Sequence, residues 1–136
     1  MNKTINVESE LTGTVLIIRP EKVPHKKNIP LNNEEFQSVI QGNLQIIRHR
    51  ECSAAFIFDK DRELLRLPLN RVVLGKDWND RYELYGPFIV VGLDAELNYT
   101  GLSEEQIRYF KNRFHVPAKM IVIDGKPTVV FDLLAR

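Results

Sequence analysis

The run Phe88-Ile89-Val90-Val91-Gly92-Leu93 constrains this chain more than any other stretch. It is apolar throughout and rich in β-branched residues, with Gly86-Pro87 before it and Asp94 after it. A run this short, punctuated at both ends, reads as a central strand whose apolar content requires a core around it. Leu64-Leu65-Arg66-Leu67-Pro68-Leu69 reads as a second central strand. It is expected to return antiparallel to Ala54-Ala55-Phe56-Ile57-Phe58 across the polar turn Asp59-Lys60-Asp61-Arg62-Glu63.

The remaining segments supply partners for these strands. Thr14-Val15-Leu16-Ile17-Ile18-Arg19 is a β-branched strand stopped by Pro20, and Leu44, Ile46 and Ile47 mark another. Glu21 to Pro30 contains Pro24 and Pro30, so it is read as an extended connector and not a helix. A short helix follows, capped by Asn32 or Asn33, with Phe36, Val39 and Ile40 on one face and Gly42 as its left-handed stop. A second helix opens on Ser103-Glu104-Glu105-Gln106, the spacing of a capping box, and carries Ile107, Phe110 and Phe114 as its apolar stripe. Val72 to Tyr85, including Trp78, shows no clear period, and residues 1–10 read as a polar arm or an added edge strand. Asp124-Gly125, between Met120-Ile121-Val122-Ile123 and Lys126 to Phe131, is a strong signal for a tight two-residue hairpin. Pro127 lacks an N–H and puts that arm at an edge or a bulge. The expected fold is α+β: a mainly antiparallel sheet with two helices packed on it and a C-terminal β-hairpin over 118–133.

With 136 residues and no linker or repeat, the chain is expected to form a single domain over 1–136. Nineteen basic residues against eighteen acidic ones give a net charge of +1, which disfavours a dedicated nucleic-acid binder. One cysteine, Cys52, excludes an internal disulfide framework and a cysteine-based zinc site. The polar start and the lack of any apolar run of bilayer length lead to the expectation of a cytoplasmic protein with no membrane partner.

No phosphate-binding loop, dinucleotide fingerprint or nucleophile elbow occurs, so no catalytic residues and no cofactors are assigned. Asp59-x-Asp61-x-Glu63 begins like a calcium loop, but its sixth and twelfth positions are Leu64 and Asn70, and no metal site is assigned. His49 and Cys52 stand three apart, which on an extended strand points them to opposite faces. His25, His49 and His115 fall in separate elements without metal-ligand spacing. The residues singled out as ligand-binding are Asn70, Arg71 and Arg66. Pro68 ends regular pairing there, and an amide beside charged forks suits an anionic, nucleotide-like ligand.

By the order of these elements the chain resembles the family of domain of unknown function 3846. The likeness runs over about residues 14–114. Its marks are Val15-Leu16-Ile17-Ile18-Arg19-Pro20, the helix ending near Gly42, Leu67-Pro68-Leu69-Asn70-Arg71, Gly86-Pro87-Phe88-Ile89-Val90-Val91-Gly92-Leu93 and Gly101-Leu102-Ser103-Glu104-Glu105-Gln106. The chain departs from it in having Gln41-Gly42 where a double glycine is common, and in the added hairpin after Val116. The resemblance implies no activity, cofactor or catalytic residue. It does imply a home on a phage or mobile element or in a Gram-positive bacterium. The functional expectation is therefore a non-enzymatic accessory protein binding a small anionic ligand or a host protein. The alternatives are a small metal-assisted hydrolase using Asp59, Asp61 or Glu63, and weak nucleic-acid binding through Arg48, Arg50, Arg108 and Lys111. The C-terminal hairpin is the element expected to pair across a subunit interface in a homodimer.

Overall fold

The computed structural model describes residues 11–74 and 81–136. In chain order the first half holds β1 (Thr12–Ile18), β2 (His25–Pro30), α1 (Asn33–Ile40), β3 (Leu44–His49) and β4 (Ala54–Asp59). The second half holds β5 (Leu69–Leu74), β6 (Arg81–Tyr85), β7 (Phe88–Leu93), β8 (Tyr99–Thr100), α2 (Glu104–Arg113), β9 (Ala118–Ile123) and β10 (Lys126–Phe131). The fold is α+β, with every strand pairing antiparallel. The expectations for residues 1–10 and for Trp78 lie outside the described residues. No helix among the described residues is long and apolar enough to cross a membrane.

The main sheet has the order β2-β1-β7-β4-β3, with β8 also on β7. All of β7 is buried because the sheet is covered on both faces. Side chains alternate along a strand. Val15, Ile17, Ile57, Ile89 and Val91 therefore pack with Phe36 and Ile40 of α1. Leu16, Ile18, Phe58, Phe88 and Val90 pack on the opposite side with Phe110 and Phe114 of the α2 end. Two covered faces explain why β7 reads as a continuous apolar run and not as an alternating one. Each fully buried Val, Ile or Phe contributes roughly 1.5–3 kcal/mol relative to exposure.

Local chemistry fixes both helices. The Asn32 carbonyl oxygen Oδ1 accepts from the Glu35 N–H at 2.7 Å, which starts α1. Ser103 and Gln106 form the full reciprocal box at α2, at 3.1 and 2.9 Å. The stop of α1 differs from expectation. Gln41, not Gly42, takes the left-handed conformation, at φ 59°. Gly42 is small for another reason: a Cβ there would lie 2.3 Å from Oδ2 of the buried Asp59.

Three further expectations are corrected. Residues 64–69 are not a strand beside β4, whose partners are β3 and β7. The Leu65 N–H donates to Asp61 O at 2.8 Å and the Leu67 N–H to Arg62 O at 3.0 Å, winding the segment into turns. Arg66 then reverses the chain at φ 53°, and Leu64 is left 83% exposed. An apolar composition without a supporting period misled the strand reading. Second, the stretch read as irregular holds the second half of β5 and all of β6, which pair as a hairpin of their own. Third, the proline-rich connector is extended as expected, but its second half pairs along β1 as the edge strand β2. The C-terminal hairpin forms as anticipated, with Asp124 at φ 52° and Gly125 at φ 74°.

β1 covers Phe88–Val90 of β7, and β8 takes over at Gly92 and Leu93. At that handover two glycines meet: a Cβ on Gly13 would lie 2.7 Å from Gly101 Cα. Backbone cannot yield there as a flexible side chain can. Gly13→Ala is therefore expected to lower the unfolding free energy by about 1–3 kcal/mol. Urea denaturation measures this, and an unchanged midpoint would contradict the close approach.

Candidate functional site

Asn70 and Arg71 are consecutive, yet both are buried, at 0% and 1% exposure. In a regular strand, neighbours point to opposite faces. The β5–β6 register shifts between Leu69 and Arg71, so Asn70 sits in a β-bulge. A bulge re-aims side chains, and here it turns both polar groups inward. Asn70 Nδ2 donates to the carbonyls of Ile18 and Gly86, at 2.9 and 2.8 Å. Its Oδ1 accepts from Arg71 NH1 at 2.7 Å.

The Arg71 guanidinium is satisfied entirely by oxygen dipoles. Nε donates to Phe114 O at 2.7 Å and NH1 to Asn70 O at 3.1 Å. NH1 also reaches Arg19 O at 3.5 Å, and NH2 donates to Lys22 O. No carboxylate takes part. Burial pulls the Arg71 pKa down to about 10, which still leaves it charged at neutral pH. These two side chains thus tie together the end of β1, the 19–24 turn, the β6–β7 junction and the C-terminus of α2.

Directly beyond that turn is a cavity of about 280 Å³, lined by Ile17, Arg19, Lys22, Val23, Pro24, His25 and Arg136. Its polar side chains are all basic, with no Asp or Glu among them; Ile17, Val23 and Pro24 form its apolar part. The carbonyls of Arg19 and Lys22 are held by Arg71 while their side chains belong to the cavity wall. Of this set, the sequence marked only His25 as a candidate functional residue; Ile17, Arg19 and Pro24 read as strand and connector. Pro20 and Pro24 bracketing the turn were the available signal. Nothing local could connect Arg136 to it.

Arg66 is exposed on the 62–66 turn and does not line the cavity. Asp59 is buried and its Oδ1 accepts from the Asp61 N–H at 2.9 Å, while Asp61 Oδ2 accepts from Asn43 Nδ2 at 3.0 Å. Glu63 is exposed. Among the described residues, no three His, Cys, Asp or Glu side chains are grouped to hold a metal.

Cys52 and His49 do meet, with Sγ 3.2 Å from Nδ1. The strand ends at His49 and Arg50–Cys52 is a 3₁₀ turn, in which residues three apart eclipse. This corrects the expectation of opposite faces. Burial is the main influence on the thiol and pushes its pKa up, away from a reactive thiolate. Arg108 and Lys111 share a larger, more open concavity of about 760 Å³ along α2 with Glu105, Tyr109, Asn112 and, just past the helix, His115. Arg48 and Arg50 lie outside it, at the end of β3.

The model of the family described as domain of unknown function (DUF3846) matches residues 12–115, and the chain belongs to that family. No curated protein and no solved structure matches the chain. The matched residues include β1 through α2 and stop before the C-terminal hairpin.

Arg71→Met would leave carbonyls on three separate segments without their donor. The expected loss of unfolding free energy is about 3–5 kcal/mol, since several buried carbonyls are left unsatisfied at roughly 1–3 kcal/mol each before they relax. Asn70→Ala is expected to cost about 1–3 kcal/mol. Chemical denaturation of both variants checks this, and losses below about 1 kcal/mol would show that the carbonyls find other donors.

Proposed function

We propose that this member of the DUF3846 family is a non-enzymatic accessory protein of phage or mobile-element type. Its task is to bind a small phosphate-bearing anion in the cavity of Arg19, Lys22, His25 and Arg136. The observation that carries this reading is the cavity's lining, which combines basic side chains with an apolar floor and includes no Asp or Glu side chain. Arg19 offers a planar fork suited to phosphate oxygens, and Lys22 offers a compact charge. Ile17, Val23 and Pro24 suit an uncharged portion such as a base or sugar edge. The volume lies just below the usual range of small-molecule sites, which favours a ligand no larger than a mononucleotide.

On this reading Asn70 and Arg71 are positioning residues. Their hydrogen bonds fix the backbone from which Arg19 and Lys22 project, so less ordering is needed on binding. Arg66, on its exposed turn, has no part in the cavity. The elements that position the cations all lie within the family-matched residues except Arg136.

Thermal shift against inorganic phosphate, mononucleotides and cyclic nucleotides tests the proposal. A ligand present at a hundredfold excess over its Kd stabilises by about 2.7 kcal/mol, a shift on the order of 10 °C for a domain this size. The expected result is a shift with at least one anion class that weakens with salt and disappears in an Arg19→Glu, Lys22→Glu double variant. No shift across the panel, or a shift that survives both substitutions, would overturn the assignment.

A further inference from the structure

The C-terminal hairpin is built differently from the rest of the chain. β9 runs beside β5, while among the described residues β10 pairs with β9 alone and leaves its outer edge unpaired. One face of the ribbon consists of Ala118, Met120 and Val122 on β9 and Pro127, Val129 and Phe131 on β10, with no polar side chain. Val122 is 70% exposed and Phe131 55%. A two-stranded ribbon of this kind is marginal in water, whereas more strands with an apolar face support themselves.

The ladder geometry identifies which backbone groups are free. Across a two-residue turn the flanking pair, Ile123 and Lys126, exchanges hydrogen bonds, and pairs then alternate along the strands. The Asp132 N–H donating to Pro117 O at 2.9 Å keeps the same alternation at the far end. Pro127, Val129 and Phe131 therefore direct their backbone groups outward. Pro127 is tolerated because its missing N–H falls on the outer edge.

We propose that this edge pairs with the same edge of a second copy of the chain, antiparallel about a two-fold axis through Val129. In that register Val129 exchanges both backbone hydrogen bonds with its counterpart. The Phe131 N–H donates to Pro127 O of the partner subunit. Lys126 lies opposite Asp132 of the partner subunit, and the two-fold repeats that opposite-charge pair. Moving the two-fold to Thr128 instead places Asp124 against Asp132 of the partner subunit, two like charges. Among the described residues, neither Lys126 nor Asp132 has an ion-pair partner in its own chain, and both are exposed. The charge pattern thus selects the copy and its register, and the result is a four-stranded sheet continuous across the dimer. The hairpin lies outside the family-matched residues, so this association belongs to the appended segment and not to the matched core.

Sedimentation of the full chain over a range of concentrations, with variants, tests the register. The parent chain is expected to form a dimer. Val129→Pro removes an outward N–H without touching the bonds to β9, and is expected to give a monomer that keeps the helical signal in circular dichroism. Lys126→Asp and Asp132→Lys alone should each weaken the dimer about tenfold, because attraction becomes repulsion at two symmetric pairs. Combining the two substitutions should restore it. A monomeric parent, a dimer that survives Val129→Pro, or a charge swap that fails to restore association would each overturn the proposal.

Discussion

A single buried guanidinium links the parts of this molecule that the sheet alone does not join. Among the described residues, the β5–β6 hairpin shares no ladder with the main sheet. Through Asn70 and Arg71 it is nevertheless bonded to the end of β1, the following turn, the β6–β7 junction and the C-terminus of α2. A charge buried without a counter-ion is costly unless dipoles replace the water it lost. Here carbonyl oxygens do so, and the Asn70 amide completes the network by accepting from Arg71 and donating onward. The Arg71 acceptors belong to different segments, so the network is only satisfied when all of them are in place. That makes it a device for specifying one arrangement as well as for stabilising it.

The Phe114 carbonyl in that network belongs to a residue whose ring is part of the α2 core. Phe114 lies edge-on to Phe88 at 5.3 Å and to Phe56 at 6.2 Å, and Phe88 stacks on Phe58 at 4.9 Å. Polar clamp and aromatic core are thus continuous through one residue. The clamp's other end holds the turn of the cationic cavity. Structure and proposed function consequently draw on the same bonds: what fixes the fold's periphery also preorganises Arg19 and Lys22.

Much of the fold was legible because its signals are local. The β1 and β7 runs, the Asn32 cap, the Ser103–Gln106 box and the Asp124-Gly125 turn each act within a few residues. What escaped depended on distant or exceptional geometry. Leu64 and Leu65 suggested a strand by composition, but β4, the expected partner, had no free edge, since β3 and β7 already flank it. A strand was expected to end at Pro68, but β5 begins just after it, at Leu69, and the bulge that turns Asn70 and Arg71 to the same side depends on pairing with β6. The His49–Cys52 contact likewise followed from a 3₁₀ turn that neither residue signals. The cavity was least legible, because Arg19 and Arg136 meet only through tertiary structure.

The central claim is that Arg71 holds the 19–24 turn and the end of α2 in place. Amide hydrogen exchange on an Arg71→Lys variant tests it most directly, because lysine keeps the charge but cannot span the separated carbonyls. The account predicts faster exchange over residues 19–24 and 114–117, with β7 still protected. Unchanged exchange in those two segments would contradict it.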